Sequence, residues 1–349
     1  MSFVNNGRKK VKVLIAGIAG ASLGTEILKS LLLTDKYIVY GCDVSNLAYG
    51  HYQKGFERTF IVNRENYIDD LVYLCSAENI QYIIPGAEEV MVILDKARDA
   101  LVYNSIIFIG NTSEVINTFS NKEKTFNTLS ELGFTIPHTI RIRSDDDLGN
   151  MSYPAVVKPS IGSGGSSYVY FVQNKEEAKV YIEYLIKNEK EPILQEYIPE
   201  NEGEYTVGVL NLPNGDLVGS IALRRVFTNK LSIMTKSKSG LISSGNSQGV
   251  IDRFPDVEYI AESISLAINS KGPVNIQGRV KNGLFIPFEI NPRFSASTYL
   301  RSMAGFNEID IFMDAIIKGV YSKPSVINHG YYLRSFSEIF ISKEALKND

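Results

Sequence analysis

The sequence predicts an α/β protein built in two differently organised parts: a parallel-sheet region over residues 1–112 and a mixed α+β region over 113–320. A short extension follows at 321–349. Three observations carry this. Up to about residue 112, short apolar runs alternate with helical stretches, which is the pattern of βαβ units and a parallel sheet. Beyond it the order changes to strand pairs separated by single helices, with turn signals at Pro213-Asn214-Gly215-Asp216 and Lys281-Asn282-Gly283. The length of 349 residues, against a prior of about 150 per domain, gives two or three domains with ample core.

The elements follow in order. Arg8, Lys9 and Lys10 precede the apolar stretch 11–21 in the manner of a signal peptide. Lys12 inside the stretch and breaks at Gly17 and Gly20 favour a buried strand at 11–16. Ile27, Leu28, Leu31 and Leu32 then mark one face of a helix near 23–33. Further strands are expected at 37–42, 81–84 and 106–109, with helices near 65–79 and 89–103. The turn at 17–24 is spaced GxxGxxxG, not GxGxxG, and Asp43 ends the second strand where a ribose-binding acid sits in dinucleotide folds. A turn that closes a strand–helix joint, or touches another small ligand, is favoured over a dinucleotide site. A helix at 121–132 turns Phe126 and Leu129 inward and stops at Gly133, with Pro137 beyond. Then come a β-rich stretch to 175, a helix at 176–188, and strands at 192–197 and 204–210. Residues 228–249, rich in Ser, Lys, Gly and Thr, read as a mobile loop. A helix at 256–269, strands at 274–280 and 284–290, and a helix at 307–318 complete the pattern.

Composition excludes several classes. A net charge of −3, from 36 basic and 39 acidic residues, argues against nucleic acid as the general partner. No apolar run approaches the ~18 residues of a membrane span. Cys42 and Cys75 form no CxxC pair and read as free thiols of a cytoplasmic protein. His51, His138 and His329 are isolated, which argues against a His-rich zinc site and leaves a Ser-His-Asp hydrolase few bases.

Three segments carry chemistry. In the first, a strand delivers Lys158 just before Gly162-Ser163-Gly164-Gly165-Ser166. Backbone N–H groups of such a loop can lie against phosphate oxygens while the lysine adds charge. It is not a P-loop, because the lysine precedes the glycines; taken alone it is equally a flexible turn. The second is Gln195-Glu196-Tyr197-Ile198-Pro199 with Glu202 and Glu204 beyond, either an adenine and ribose contact or solvated acids at a strand end. The third pairs Asn275-Ile276-Gln277 with Phe288-Glu289-Ile290-Asn291-Pro292-Arg293. The period of two places 289, 291 and 293 on one face. A carboxylate and two amide oxygens there suit Mg²⁺, which keeps water and phosphate as its other ligands. The alternative is a polar edge strand.

Taken together, Lys122, Lys158, Gly164, Gly165, Glu196, Glu204, Gln277, Glu289, Asn291 and Arg293 occur in an order that resembles the ATP-grasp superfamily. The likeness covers about 113–320 and is strongest to carbamoyl phosphate synthase large chains and ATP-grasp carboxylate–amine ligases. It implies a pre-ATP-grasp Rossmann-like domain followed by an ATP-grasp domain whose two subdomains clasp ATP. It implies that Lys122 and Lys158 reach the phosphates and that Gly164-Gly165 close over them. Glu196 and, through its backbone, Ile198 would hold adenine; Glu204 would hold the ribose hydroxyls. Gln277, Glu289 and Asn291 would bind Mg²⁺ (or Mn²⁺), and Arg293 would stabilise the phosphorylated intermediate, with Lys158 beside it. The implied activity is ATP-dependent ligation of a small-molecule carboxylate to an amine through an acyl phosphate. The alternatives are an ATP-grasp kinase, a carboxy-phosphate or carbamoyl phosphate-forming enzyme, and a non-catalytic nucleotide-binding module. A nicotinamide-dependent dehydrogenase would rest on 17–24 and Asp43 alone. Relatives are often dimers, so a homodimer is the implied assembly. Carbamoyl phosphate synthase large chains carry two ATP-grasp copies, whereas this chain shows one, and biotin carboxylases carry a large C-terminal domain that it lacks. For the substrate, Glu88, Arg225 (beside Arg224) and Arg301 are the candidates, and Lys236, Ser239, Gly240 and Gly245 mark a candidate lid.

Overall fold

The computed structural model describes residues 10–20, 23–162, 167–228, 230–324 and 326–347. The chain divides into two compact units, Met1–Ile109 with Phe336–Asp349, and Gly110–Ser335.

The first unit is a parallel sheet of β1 (Val11–Ala16), β2 (Tyr37–Asp43), β3 (Arg58–Ile61), β4 (Tyr82–Pro85) and β5 (Ile107–Phe108), in the order β3-β2-β1-β4-β5. Val13–Ala16 of the central strand are fully buried, as expected where helices cover both faces of a parallel sheet. The helix expected over 89–103 is two, Glu88–Lys96 and Arg98–Tyr103, separated at Ala97. β3 has no counterpart in the sequence reading; it is four residues long and lies at the sheet edge. The segment from Phe336 contributes to this unit: the Asn46 side-chain amide donates to Lys347 O (3.3 Å), and the Tyr49 and Ser337 hydroxyls are 2.7 Å apart.

Strand order reverses between β1 and β4, where a ligand crevice forms in open α/β sheets. Here backbone fills it. The Gly24 N–H donates to Gly86 O (3.0 Å), and the Gly86 N–H to Ala16 O (2.7 Å). A Cβ would stand 2.0 Å from Gly17 O at Gly24 and 1.9 Å at Gly86. The Asp43 carboxylate accepts the N–H groups of Ile18 (2.9 Å) and Ser45 (3.1 Å). The described glycines thus close a strand–helix joint; Ala21 and Ser22 of this turn lie outside the described residues.

The second unit has two larger antiparallel sheets and a two-stranded one among the described residues. β6 (Thr139–Arg141), β7 (Ala155–Pro159), β8 (Tyr170–Val172) and β9 (Pro192–Glu196) form the smaller, in the order β6-β9-β7-β8. It packs on helix Lys175–Lys187 through Ala155, Val157, Leu194 and Leu185. β10 (Glu204–Asn211), β11 (Leu217–Arg225), β14 (Gly249–Ile251), β15 (Pro273–Lys281), β16 (Leu284–Asn291) and β17 (Gly330–Tyr332) form the larger, in the order β16-β15-β10-β11-β14-β17. Its core joins Val207, Val209 and Ile276 to Ala261 and Ile264 of helix Pro255–Ala267. That helix opens with Pro in its first turn, where a missing N–H leaves no bond unmade. Between β11 and β14, the stretch expected to be a mobile loop carries a hairpin, β12 (Ile233–Lys236) and β13 (Leu241–Ser243), with 241–243 buried. Its polar composition masks the short apolar run Leu241-Ile242. Helices Ser113–Phe119 and Thr298–Met303 were likewise not foreseen. Among the described residues no helix is long and apolar enough to cross a membrane, and Cys42 and Cys75 are free and buried.

Candidate functional site

A cleft opens between the two larger sheets of the second unit. Lys122, Lys158, Glu196, Ile198, Gln277 and Glu289 all line it.

Every residue of β7 is buried, Lys158 among them. Its ammonium donates to Gln195 Oε1 (2.8 Å) and Phe288 O (3.2 Å). The second acceptor exists because the β15–β16 register shifts: Gln277 pairs with Glu289 but Gly278 with Pro287, leaving Phe288 as the extra residue of a bulge. Burial, then the nearby charge of Lys122, lowers the Lys158 pKa to about 7, against the opposing pull of Glu289. Lys122 opens helix Lys122–Glu131, and its N–H bonds Ser160 O (2.9 Å), tying that helix to the end of β7. Gly164 and Gly165 lie outside the described residues.

The β15–β16 ribbon supplies the acceptors. Gln277 and Glu289 are direct cross-strand partners, with Gln277 Nε2 donating to Glu289 Oε2 (2.9 Å). Asn291 pairs with Asn275 and is buried, and its Nδ2 has no hydrogen-bond partner. A half-turn of the amide puts oxygen at that same point, so the orphaned end fits a cation. Among the described residues no three His, Cys, Asp or Glu side chains gather into a metal centre. One carboxylate with two amides is instead a donor set for a hard ion that takes its remaining ligands from phosphate and water. Arg293 follows the row half-buried, with Nη1 on Phe294 O (3.0 Å), and does not line the cleft.

At the other end, Val156, Val169, Tyr197, Ile242 and Phe288 form apolar walls suited to a flat ring. Glu196 pairs with Lys281 (2.7 Å) and accepts the His138 N–H (3.2 Å). Burial works against its ionisation, but these donors outweigh it and hold the carboxyl below its usual range. The Ile198 carbonyl accepts from Arg279 Nη1 (2.6 Å).

Glu204, expected at the ribose, opens β10, and its Oε1 has no hydrogen-bond partner. It is fully buried and absent from the cleft wall. Arg279 Nε donates to its Oε2 (2.8 Å), and Arg225 Nη1 stands 3.3 Å from Oε1. Burial again opposes ionisation, and the two guanidinium charges override it to keep the carboxyl low. The reason is position: β10 lies between β15 and β11 with all eight residues buried, and an acid there must be paired.

The substrate candidates also fall elsewhere. Arg225 is buried and donates to Ser244 O (2.7 Å) and Ser232 O (3.3 Å). Arg301 is fully buried, bonded to Asn275 Oδ1 (2.6 Å) and Thr206 Oγ1 (3.1 Å) and paired with Glu308 (3.4 Å). Neither lines the cleft, although Arg225 Nε and Nη1 and Arg301 Nε have no hydrogen-bond partner. Glu88 belongs to the first unit, in the opening turn of the helix after β4, where the helix dipole favours an acid. Arg279 has no place in the sequence reading, while Gln195, Tyr197 and Phe288 lie in the singled-out segments without an assigned role. The period of two applied to 289 and 291, carried to the neighbouring strand from 277, reaches 279 and would have found Arg279.

The ATP-grasp domain family matches residues 119–297, more than half of the chain. Among curated relatives, the carbamoyl phosphate synthase large chain of Sulfolobus acidocaldarius is 26% identical over 62% of this chain and 20% of its own length. That of Neisseria meningitidis serogroup B is 24% identical over 60% and 19%. The chain therefore spans about a fifth of the length of these relatives. Among solved structures, the biotin carboxylase domain dimer of Hydrogenobacter thermophilus 2-oxoglutarate carboxylase, in complex with MgADP, ADP and bicarbonate, superimposes with a TM-score of 0.67 at 16% identity. It covers 92% of this chain and 73% of that one. The L-amino acid ligase of Bacillus licheniformis gives 0.65 at 16%, over 89% and 75%. The solved structures share the fold, and the sequence match, lying across the cleft just described, establishes that the chain belongs to the ATP-grasp family.

Proposed function

We propose that this chain is an ATP-dependent carboxylate–amine ligase that releases ADP and phosphate. The observation that carries the reading is the convergence on one cleft of two lysines, Lys122 and Lys158, with Gln277 and Glu289, the strand of Glu289 continuing to the buried Asn291. Cations and cation ligands side by side are what a metal–triphosphate requires. Adenine lies between the apolar walls against the Glu196–Ile198 backbone, and Lys122 and Lys158 hold phosphate oxygens. Gln277, Glu289 and Asn291 hold Mg²⁺ (or Mn²⁺), which when bound neutralises phosphate charge. A substrate carboxylate oxygen attacks the γ-phosphorus and the bond to ADP breaks. Arg293, just past the acceptor row, faces the charge of the acyl phosphate. The amine nitrogen then bonds the acyl carbon, phosphate leaves with the C–O electron pair, and the amine gives up a proton.

A second reading takes bicarbonate as the acid, making carboxy-phosphate. It is favoured by the carbamoyl phosphate synthase relatives and by the bicarbonate in the carboxylase complex. Both readings use the same cleft. The test is release of ADP and phosphate from Mg-ATP against an array of amino acids, small carboxylates and bicarbonate, each with and without an amine. Release dependent on one acid–amine pair supports ligation. A stable phosphorylated product without an amine replaces it with a kinase.

A further inference from the structure

Among the described residues, the Lys158 ammonium bonds only neutral groups. It donates to Gln195 Oε1 (2.8 Å) and to Phe288 O (3.2 Å), and it stands 5.5 Å from the centre of the Phe126 ring. The Phe288 carbonyl can present nothing but oxygen. The Gln195 amide has two ends, and its NH₂ turned toward an ammonium would set donor against donor. What decides its orientation lies one strand away. Thr139 of β6 and Gln195 of β9 are direct cross-strand partners. Gln195 Nε2 donates to Thr139 Oγ1 (2.8 Å), and Thr139 Oγ1 donates to Pro137 O (2.9 Å). A hydroxyl carries one proton. With that proton on Pro137 O, Thr139 toward Gln195 can only accept, so the amide turns its NH₂ to Thr139 and its oxygen to Lys158. Gln195 and Lys158 are buried, which leaves little water to compete for either bond. Both line the cleft, and Thr139 does not. Neutral acceptors satisfy the N–H groups of an ammonium without cancelling its charge, whereas a carboxylate in the place of the amide would cancel it. An ammonium has three donors, and the two bonds to Gln195 and Phe288 leave one for a ligand.

We infer that Thr139 is a positioning residue for phosphate binding: its hydroxyl fixes the Gln195 amide with the oxygen on the Lys158 ammonium, so that the lysine is held by neutral groups and keeps its full charge for a phosphate oxygen. The inference rests on the reading of this cleft as an ATP site. Thr139 acts through Gln195 from outside the cleft wall. An amide turned the other way would push the ammonium off its aim. A carboxylate at the same place would compete with phosphate for it. The effect belongs to the phosphates, so a nucleoside without phosphate does not register it.

The experiment measures affinities for ATP and for adenosine in wild type, Thr139→Val, Thr139→Ser, Lys158→Met and the double variant of Thr139→Val with Lys158→Met. Valine keeps a branched shape that suits a strand but offers Gln195 no acceptor. Thr139→Val is expected to weaken ATP binding about tenfold and leave adenosine binding as in wild type. Thr139→Ser, which keeps the hydroxyl, should restore ATP binding. In the Lys158→Met background, Thr139→Val should weaken ATP no further, because the group it aims is gone. The inference is overturned by an equal loss for ATP and adenosine, by ATP binding that Thr139→Val leaves intact, or by a full second loss in the double variant. Should Thr139→Val not fold, Gln195→Glu decides. A carboxylate set on the ammonium should weaken ATP about tenfold relative to adenosine, and a wild-type ratio overturns the inference. A wild type that does not bind ATP removes the ATP reading and the inference with it, whereas a failure of the Thr139 comparison in a protein that binds ATP removes the inference alone.

Discussion

Lys158 shows how one buried side chain couples charge to ligand. Its pKa is lowered from 10.5 to about 7, first by burial and then by Lys122. Between those values the unfolded chain holds a proton that the empty folded cleft does not, so stability of the empty protein rises with pH across that window. Phosphate oxygens reverse the balance, because an anion beside the lysine favours its charged form. Nucleotide binding at pH 8 should therefore take up protons, and affinity should weaken as pH climbs above 7. Calorimetric titration in two buffers of different ionisation enthalpy measures the uptake; none in the wild type would sink the argument. Lys158→Met keeps the packing against Phe126, 5.5 Å from the ammonium, but removes the charge. It should abolish the uptake and lower nucleotide affinity about 10- to 100-fold, from the ~1.5–3 kcal/mol of a charged hydrogen bond. Arg301 tests the opposite case, a buried charge with a purely internal role. Truncation to Ala strands Glu308, and should lower unfolding free energy by about 3–5 kcal/mol in a denaturant titration.

At the scale of elements, the β15–β16 ribbon and the glycine joint carry opposite predictions. Glu289→Gln removes the only carboxylate of the acceptor row. The Mg²⁺ concentration needed for half-maximal turnover should rise at least about tenfold, with metal-free nucleotide binding little changed. Equal metal dependence in variant and wild type would remove Glu289 from the metal site. In the first unit, Gly24→Ala would put a methyl 2.0 Å from the Gly17 carbonyl. It should lower stability by roughly 1–3 kcal/mol or more, read as a drop in melting temperature. The sequence made half of the ribbon legible because a two-residue period leaves Glu289 and Asn291 no freedom to face apart, whereas the place of Gln277 opposite Glu289 depends on the register. It also marked the alternating first half and the helix ending at Gly133. It did not make legible what depends on partners distant along the chain. The two arginines beside Glu204, Arg225 and Arg279, come from other strands that only the sheet order brings to it. Arg301 reads as a surface cation until Asn275, Thr206 and Glu308 are seen around it. The hairpin at 233–243 reads as loop because what orders it, Arg225, Arg279 and Tyr197, lies outside it.

For the whole molecule the question is where the phosphoryl group goes. The side chains that line the cleft all belong to the second unit, and between β1 and β4 in the first the glycine backbone packs on itself. A metal–triphosphate cleft of this kind serves ligases, carboxylate-activating enzymes and kinases alike, so its geometry alone does not choose among them. Oxygen tracing does. In ligation, a carboxylate oxygen becomes the bridge of the acyl phosphate, and attack by the amine breaks the bond between carbon and that oxygen. The oxygen must then leave with phosphate. With ¹⁸O in the acid and none in the water, each turnover should place one label in inorganic phosphate and one fewer in the product. Hydroxylamine in place of the amine should trap the activated acid as a hydroxamate, because it attacks the same acyl carbon. A kinase would retain the label in a phosphorylated product and release no phosphate. Idle hydrolysis of ATP by water would leave phosphate unlabelled, and that result with the true acid present would overturn the ligase reading even if ADP were formed at full rate.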